Sequence, residues 1–116
     1  MANVSGNKIQ LLASAARTAT ATSEAIALPS NAKDIGIVLN TTADSGTGTF
    51  TAKLQSSSDN INWTDITGAT SAAVSDVGQS FGFASVNCFS LVRCVLTESG
   101  TAVATQSVSV VYNEGP

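Results

Sequence analysis

Residues Thr47 to Thr64 read TGTFTAKLQSSSDNINWT, and how this stretch alternates and where it turns decides the fold. Phe50, Ala52 and Leu54 alternate with Thr49, Thr51, Lys53 and Gln55, which gives an extended chain one apolar and one polar face. That is the pattern of a half-buried strand. Ser56-Ser57-Ser58-Asp59-Asn60 then supplies side chains that hydrogen-bond their own backbone and tolerate left-handed geometry, so the chain is expected to reverse before Ile61, Trp63 and Ile66. The one tryptophan therefore falls just past a hairpin turn.

A chain of 116 residues is expected to form one domain, which at this size buries roughly two-thirds of its unfolded surface. Only 11% of the residues are charged, and much of the 43% apolar share is alanine and valine. The core is thus built from small pieces, and the composition favours strands and turns over a helical bundle or a disordered tail. Five bases stand far apart in sequence against eight acids. Phosphate neutralisation needs clustered Lys and Arg, so neither nucleic acid nor an anionic membrane is an expected partner. No apolar run approaches the ~20 residues of a membrane helix, and MANVSGNKIQ lacks the charged and apolar regions of a secretion signal. Synthesis in a cytoplasm without general export is the expectation.

Outward from the central hairpin, Lys8 to Ala16 (KIQLLASAA) carries Ile9, Leu11 and Leu12 without clear alternation, and reads as a first strand or as an N-terminal arm lying on a neighbouring subunit. Thr18 to Leu28 suggests a strand closed by Pro29, and residues 30–33 a turn. Ile35, Ile37 and Leu39 mark a core strand, and TTADSGTG (41–48) reads as a loop. Past Ile66, turns are expected at 67–70 and 76–78, with short strands at 72–74 and around Phe81 and Phe83. FSLVRCVLTE (89–98) is apolar on both parities, as a central strand is. Ser99-Gly100 reads as a turn into a last strand with Val108, Val110 and Tyr112 on one face. The expectation is an all-β fold, a two-sheet antiparallel β-sandwich of Greek-key or jelly-roll type with about seven to nine short strands. Residues 1–17 form the arm or first strand, 18–112 the sandwich and 113–116 a tail.

The chain has no histidine, which removes the commonest general base and zinc ligand. No nucleotide-binding or nucleophile-elbow motif is present, so the expectation is a protein without catalytic residues, cofactor, metal or small-molecule substrate. Asp59 and Asp65 flank Trp63 and are the one pairing that suggests glycoside hydrolysis, against a simpler reading in which Asp59 serves the turn and Trp63 packs in the core. Asp44, Asp59 and Asp76 match no calcium-loop spacing, and the sequons at Asn3, Asn40 and Asn62 carry no weight without a secretion signal. Cys88 and Cys94 would lie up to ~20 Å apart along one strand, so two free thiols are expected, Cys94 as a small buried hydrophobe. Arg93, a charge in an apolar strand, either pairs with an acid such as Glu98 or Asp65 or lies at a subunit interface.

Gln55, Ser56, Asp59, Trp63, Thr64, Asp65 and Ile66, read with Arg93, Thr97, Ser99, Gly100 and Thr101, resemble the hairpin and the final strand pair of small β-sandwich proteins from tailed-bacteriophage virions. The resemblance covers residues 18–112 and marks no catalytic site. It implies a capsid decoration, or cement, protein: a homotrimer on the outside of the virion that binds the major capsid protein and ties its subunits together. Ile9, Leu11, Leu12 and Arg93 are then the candidate interface residues. A phage tail or baseplate module, or a carbohydrate-binding sandwich with Trp63 and Tyr112 as stacking platforms, is the alternative.

Overall fold

The structure, a computed structural model, describes residues 7–29, 32–84 and 90–114. The described chain is all-β: β1 (Asn7–Arg17), β2 (Ala21–Thr22), β3 (Ile26–Ala27), β4 (Ala32–Ser57), β5 (Thr64–Thr70), β6 (Gly78–Ala84) and β7 (Leu91–Glu114). All seven belong to one open antiparallel sheet, with the path β1-β7-β4-β5. β2 and β3 pair with β7, and β6 pairs with β4. Hydrogen bonding therefore joins strands that were expected in two separate sheets.

The join is a spine of two very long strands. β4 and β7 pair from Ala32↔Glu114 to Ser57↔Leu91. The expected loop at 41–48 and the expected turn at Ser99-Gly100 both lie inside this ladder, facing each other through Thr47↔Thr101 and Gly48↔Gly100. Each interruption finds its partner in the other, so neither strand ends. Gly46, Gly48 and Gly100 have φ of 83°, 140° and 78°, where a side chain is strained. A Cβ on Gly48 would also stand 2.1 Å from the Ser99 carbonyl oxygen.

One extra residue in β4 keeps the apolar face continuous. Ile35, Ile37 and Leu39 are buried at odd positions, whereas Phe50, Ala52 and Leu54 are buried at even ones. On β7 the buried hydrophobic residues stay even throughout, from Val92, Cys94 and Leu96 to Val108, Val110 and Tyr112. The register shift between Thr41 and Ala43 reconciles the two strands, because a one-residue insertion turns every later side chain to the other face. An earlier shift, between Lys33 and Gly36, coincides with Asp34 in the left-handed region at φ 52°.

The buried residues of both ends of the spine form one core cluster, with Phe50 its largest fully buried side chain. The edges depart further from expectation. Residues 18–28 give only the two-residue β2 and β3, bridged to β7 by Ser23, whose N–H donates to the Cys94 carbonyl at 3.0 Å and whose hydroxyl accepts from the Cys94 N–H at 2.9 Å. The expected turn at 67–70 is instead part of β5, with Gly68 at φ 95° where the β4–β5 register slips. Residues 72–74 contribute a single bridge, Phe50↔Val74. Cys88, and with it the 88–94 spacing, lies outside the described residues; Cys94 is a free, buried thiol.

Candidate functional site

The predicted site residues separate into three places. Ile9, Leu11 and Leu12 lie in β1, antiparallel to the chain's own β7, half-buried against the core. Residues 7–17 are thus a first strand, tied down at its end by Arg17, whose Nε donates to the Gln106 carbonyl at 3.3 Å. Tyr112 is also in the core, only 7% exposed, and has no free ring face for a ligand. It is removed from the alternative site on burial alone.

Trp63 and Arg93 do meet. Trp63 lies between the turn and β5, half-buried at the surface, and the Arg93 guanidinium stacks on it 4.3 Å from the ring centroid. Trp63 was expected in the core, but the large aromatic fully buried there is Phe50. The Arg93 Nε donates to Gln55 Oε1 at 2.9 Å, and Gln55 Nε2 donates to Asp65 Oδ1 at 2.9 Å. Lys53 completes the row with an ion pair to Asp65 Oδ2 at 3.2 Å. Arg93, Gln55 and Asp65 are register neighbours on β7, β4 and β5, so the row runs straight across the sheet on its outer face. Arg93 therefore reaches Asp65 only through the Gln55 amide. Glu98, the other expected partner, accepts from the Ala102 N–H at 3.2 Å, spanning the kinked middle of β7.

Asp59 serves the turn. Its Oδ1 accepts from the N–H groups of Ile61 and Asn62 at 2.9 Å each, and Oδ2 accepts from the Asn62 side chain. The Asn62 and Ile61 backbone donors, then the Asn62 and Ser57 side chains, hold its carboxyl far below the usual carboxylate range. The Asp65 carboxyl is lowered too, first by Gln55 and then by Lys53. A glycosidase needs one carboxyl raised so that it carries a proton at neutral pH, and both of these move the other way. Among the described residues no three His, Cys, Asp or Glu side chains come together as a metal site requires.

Two features were not read from the sequence. Gln106 is fully buried in β7; its Nε2 donates to Thr41 Oγ1 at 3.0 Å while its Oε1 has no partner. Phe81 and Phe83 were expected in a strand, and in β6 they are exposed, side by side. Strand alternation identifies residues that share a face but not which face is covered, so only the pairing of β6 with β4 reveals this.

No protein-family model matches the chain, and no curated protein is significantly similar to it.

Proposed function

We propose that the chain is a non-enzymatic structural protein of a tailed-phage virion: a capsid decoration protein that is made in the host cytoplasm, binds the outside of the shell as a homotrimer, and bridges subunits of the major capsid protein. One observation carries this reading. The two stretches of the resemblance are joined to each other, with Arg93 of the second bonded to Gln55 of the first and stacked on its Trp63. Their polar residues hold one another, as fold motifs do. The finer architecture belongs to the same reading: we take the sheet to fold over on itself as a sandwich of the Greek-key or jelly-roll kind, which the single core shared by both ends of its spine supports.

A cement protein works by interface area. A stable contact takes roughly 800 Å² from each partner, and each bridged subunit adds binding free energy that opposes the outward pressure of packaged DNA. A trimer multiplies a weak contact through effective concentration. The long β4–β7 spine suits the role, because one pair of strands runs from Ala32↔Glu114 to Ser57↔Leu91 and so joins distant parts of the surface.

Purified protein added to shells stripped of it is expected to co-sediment at a fixed ratio to the major capsid protein and to raise the temperature at which the shells rupture. Protein left in the supernatant, with rupture unchanged, overturns the reading. The second reading is a tail or glycan-binding module, favoured by one observation: Trp63 is part-exposed beside Gln55 and Asp65, the polar groups that orient a sugar against an aromatic ring. A glycan array that gives binding lost in Trp63→Ala would favour it.

A further inference from the structure

Among the described residues, β6 is the unguarded edge of this sheet. Exposed edge strands invite pairing with another chain unless charge, proline, a bulge or shortness prevents it. β1 carries Lys8 and Arg17 and two register shifts, and β5 carries Asp65 and a slipped register. β2 and β3 are only two residues long. β6, GQSFGFA, has no charge and no proline, and its register with β4 runs unbroken from Ile35↔Ala84 to Thr41↔Gly78.

Beside that edge lies an apolar surface. Phe81 and Phe83 are 60% and 56% exposed, with ring centroids 5.6 Å apart at 59°. Their register partners are Val38 and Gly36, opposite in parity to the buried Ile35 and Ile37, so both rings stand on the outer face. Gly36 makes room for this: a Cβ there would be 2.3 Å from Phe83 Cδ1. The inner face of β6 is closed, since a Cβ on Gly82 would stand 2.1 Å from the Thr70 carbonyl oxygen. A partner therefore has two approaches, along the free edge and over the rings.

We infer that β6 pairs antiparallel with β6 of a second copy of this chain about a two-fold axis at Gly82. The sequence around that glycine is nearly symmetric, Ser80-Phe81-Gly82-Phe83-Ala84. Pairing centred there sets Phe81 opposite Phe83 of the partner subunit and Phe83 opposite Phe81 of the partner subunit, on one face, which is the self-complementarity a two-fold contact demands. The four rings meet as cross-strand aromatic pairs. The two exposed rings offer about 100 Å² each, well short of the ~800 Å² per partner of a stable interface, so this contact forms at high local concentration and is weak in dilute solution. It is independent of what the chain binds on a shell.

Sedimentation equilibrium of the full chain is expected to give a mass that doubles from its dilute value between about 5 µM and about 1 mM. Phe81→Lys is expected to weaken this association at least tenfold. Ile61→Lys, which removes a side chain 78% exposed on the turn between β4 and β5, is expected to leave it unchanged. On unmodified protein, amide exchange of residues 79–83 is expected to slow with rising concentration while that of β1 does not. A mass that is constant over this range, an equal loss in Ile61→Lys, or concentration-independent exchange in β6 would each overturn the inference.

Discussion

The Arg93 guanidinium lies over the Trp63 indole, 4.3 Å from its centroid, and fastens the end of the β4–β5 turn to β7 across the intervening strand. Its Nε bond to Gln55 fixes the angle at which it stacks. Trp63→Ala and Arg93→Ala are each expected to cost about 1 kcal/mol, with a coupling of about 0.5–1 kcal/mol in the double-mutant cycle. Arg93→Lys keeps the charge but has no planar fork to bond Gln55 while stacked, so it should fall between wild type and alanine. Urea unfolding of the five proteins checks this, and strictly additive losses in the cycle would mean the stack contributes nothing.

Gly48 faces Gly100 in the middle of the spine, where a Cβ meets the Ser99 carbonyl oxygen at 2.1 Å. The obstacle is backbone, so no rotamer change relieves it. Gly48→Ala is expected to cost roughly 2 kcal/mol or more, through strain at φ 140° and the displaced ladder. Thermal unfolding reads the loss directly, and a variant as stable as wild type would refute the paired-kink geometry.

Asp59 and Asp65 both have carboxyls lowered from an ordinary 3.8 by their hydrogen bonds. The unfolded chain binds protons at these sites before the folded one does. Their contribution is therefore fully present above about pH 4 and is lost as pH falls through the lowered native values. Stability should decline below about pH 4, and Asp59→Asn should flatten that decline. Urea midpoints measured from neutral to acid pH give the slope; an unchanged slope in the variant would show that Asp59 is not held as described.

Burial pushes the Cys94 thiol above its ordinary 9.0, only partly offset by the bonds from Ser23. Its raised native value means that stability is intact below the unfolded thiol's pKa and falls as pH climbs beyond about 9, where the unfolded chain loses the proton first. At neutral pH alkylation of Cys94, followed by peptide mass, should proceed no faster than global unfolding. Rapid labelling of the folded chain would contradict its burial.

Much of this fold was legible because burial of one strand face leaves a period of two. Ile35, Ile37 and Leu39, then Phe50, Ala52 and Leu54, stand out in the sequence and are core residues in the structure. The change from odd to even positions between them, together with TTADSGTG, reads naturally as two strands and a loop. It is one strand with a bulge near Thr42, whose hydroxyl bonds the Thr105 carbonyl at 3.4 Å. Nothing local distinguishes the two, since Gly, Ser and Asp serve loops and kinked ladders alike; the difference lies in Gly100 standing opposite Gly48. The Asp59 turn was readable from its own short-range chemistry, and the Arg93–Trp63 contact was not, because it depends on strand order.

The central claim, a place on the outside of a phage head, is tested most directly by electron microscopy of intact virions labelled with gold-tagged antibodies against the folded chain. The account predicts label distributed over the head surface and none on the tail. Label confined to the tail or baseplate, or no label on virions at all, would contradict it.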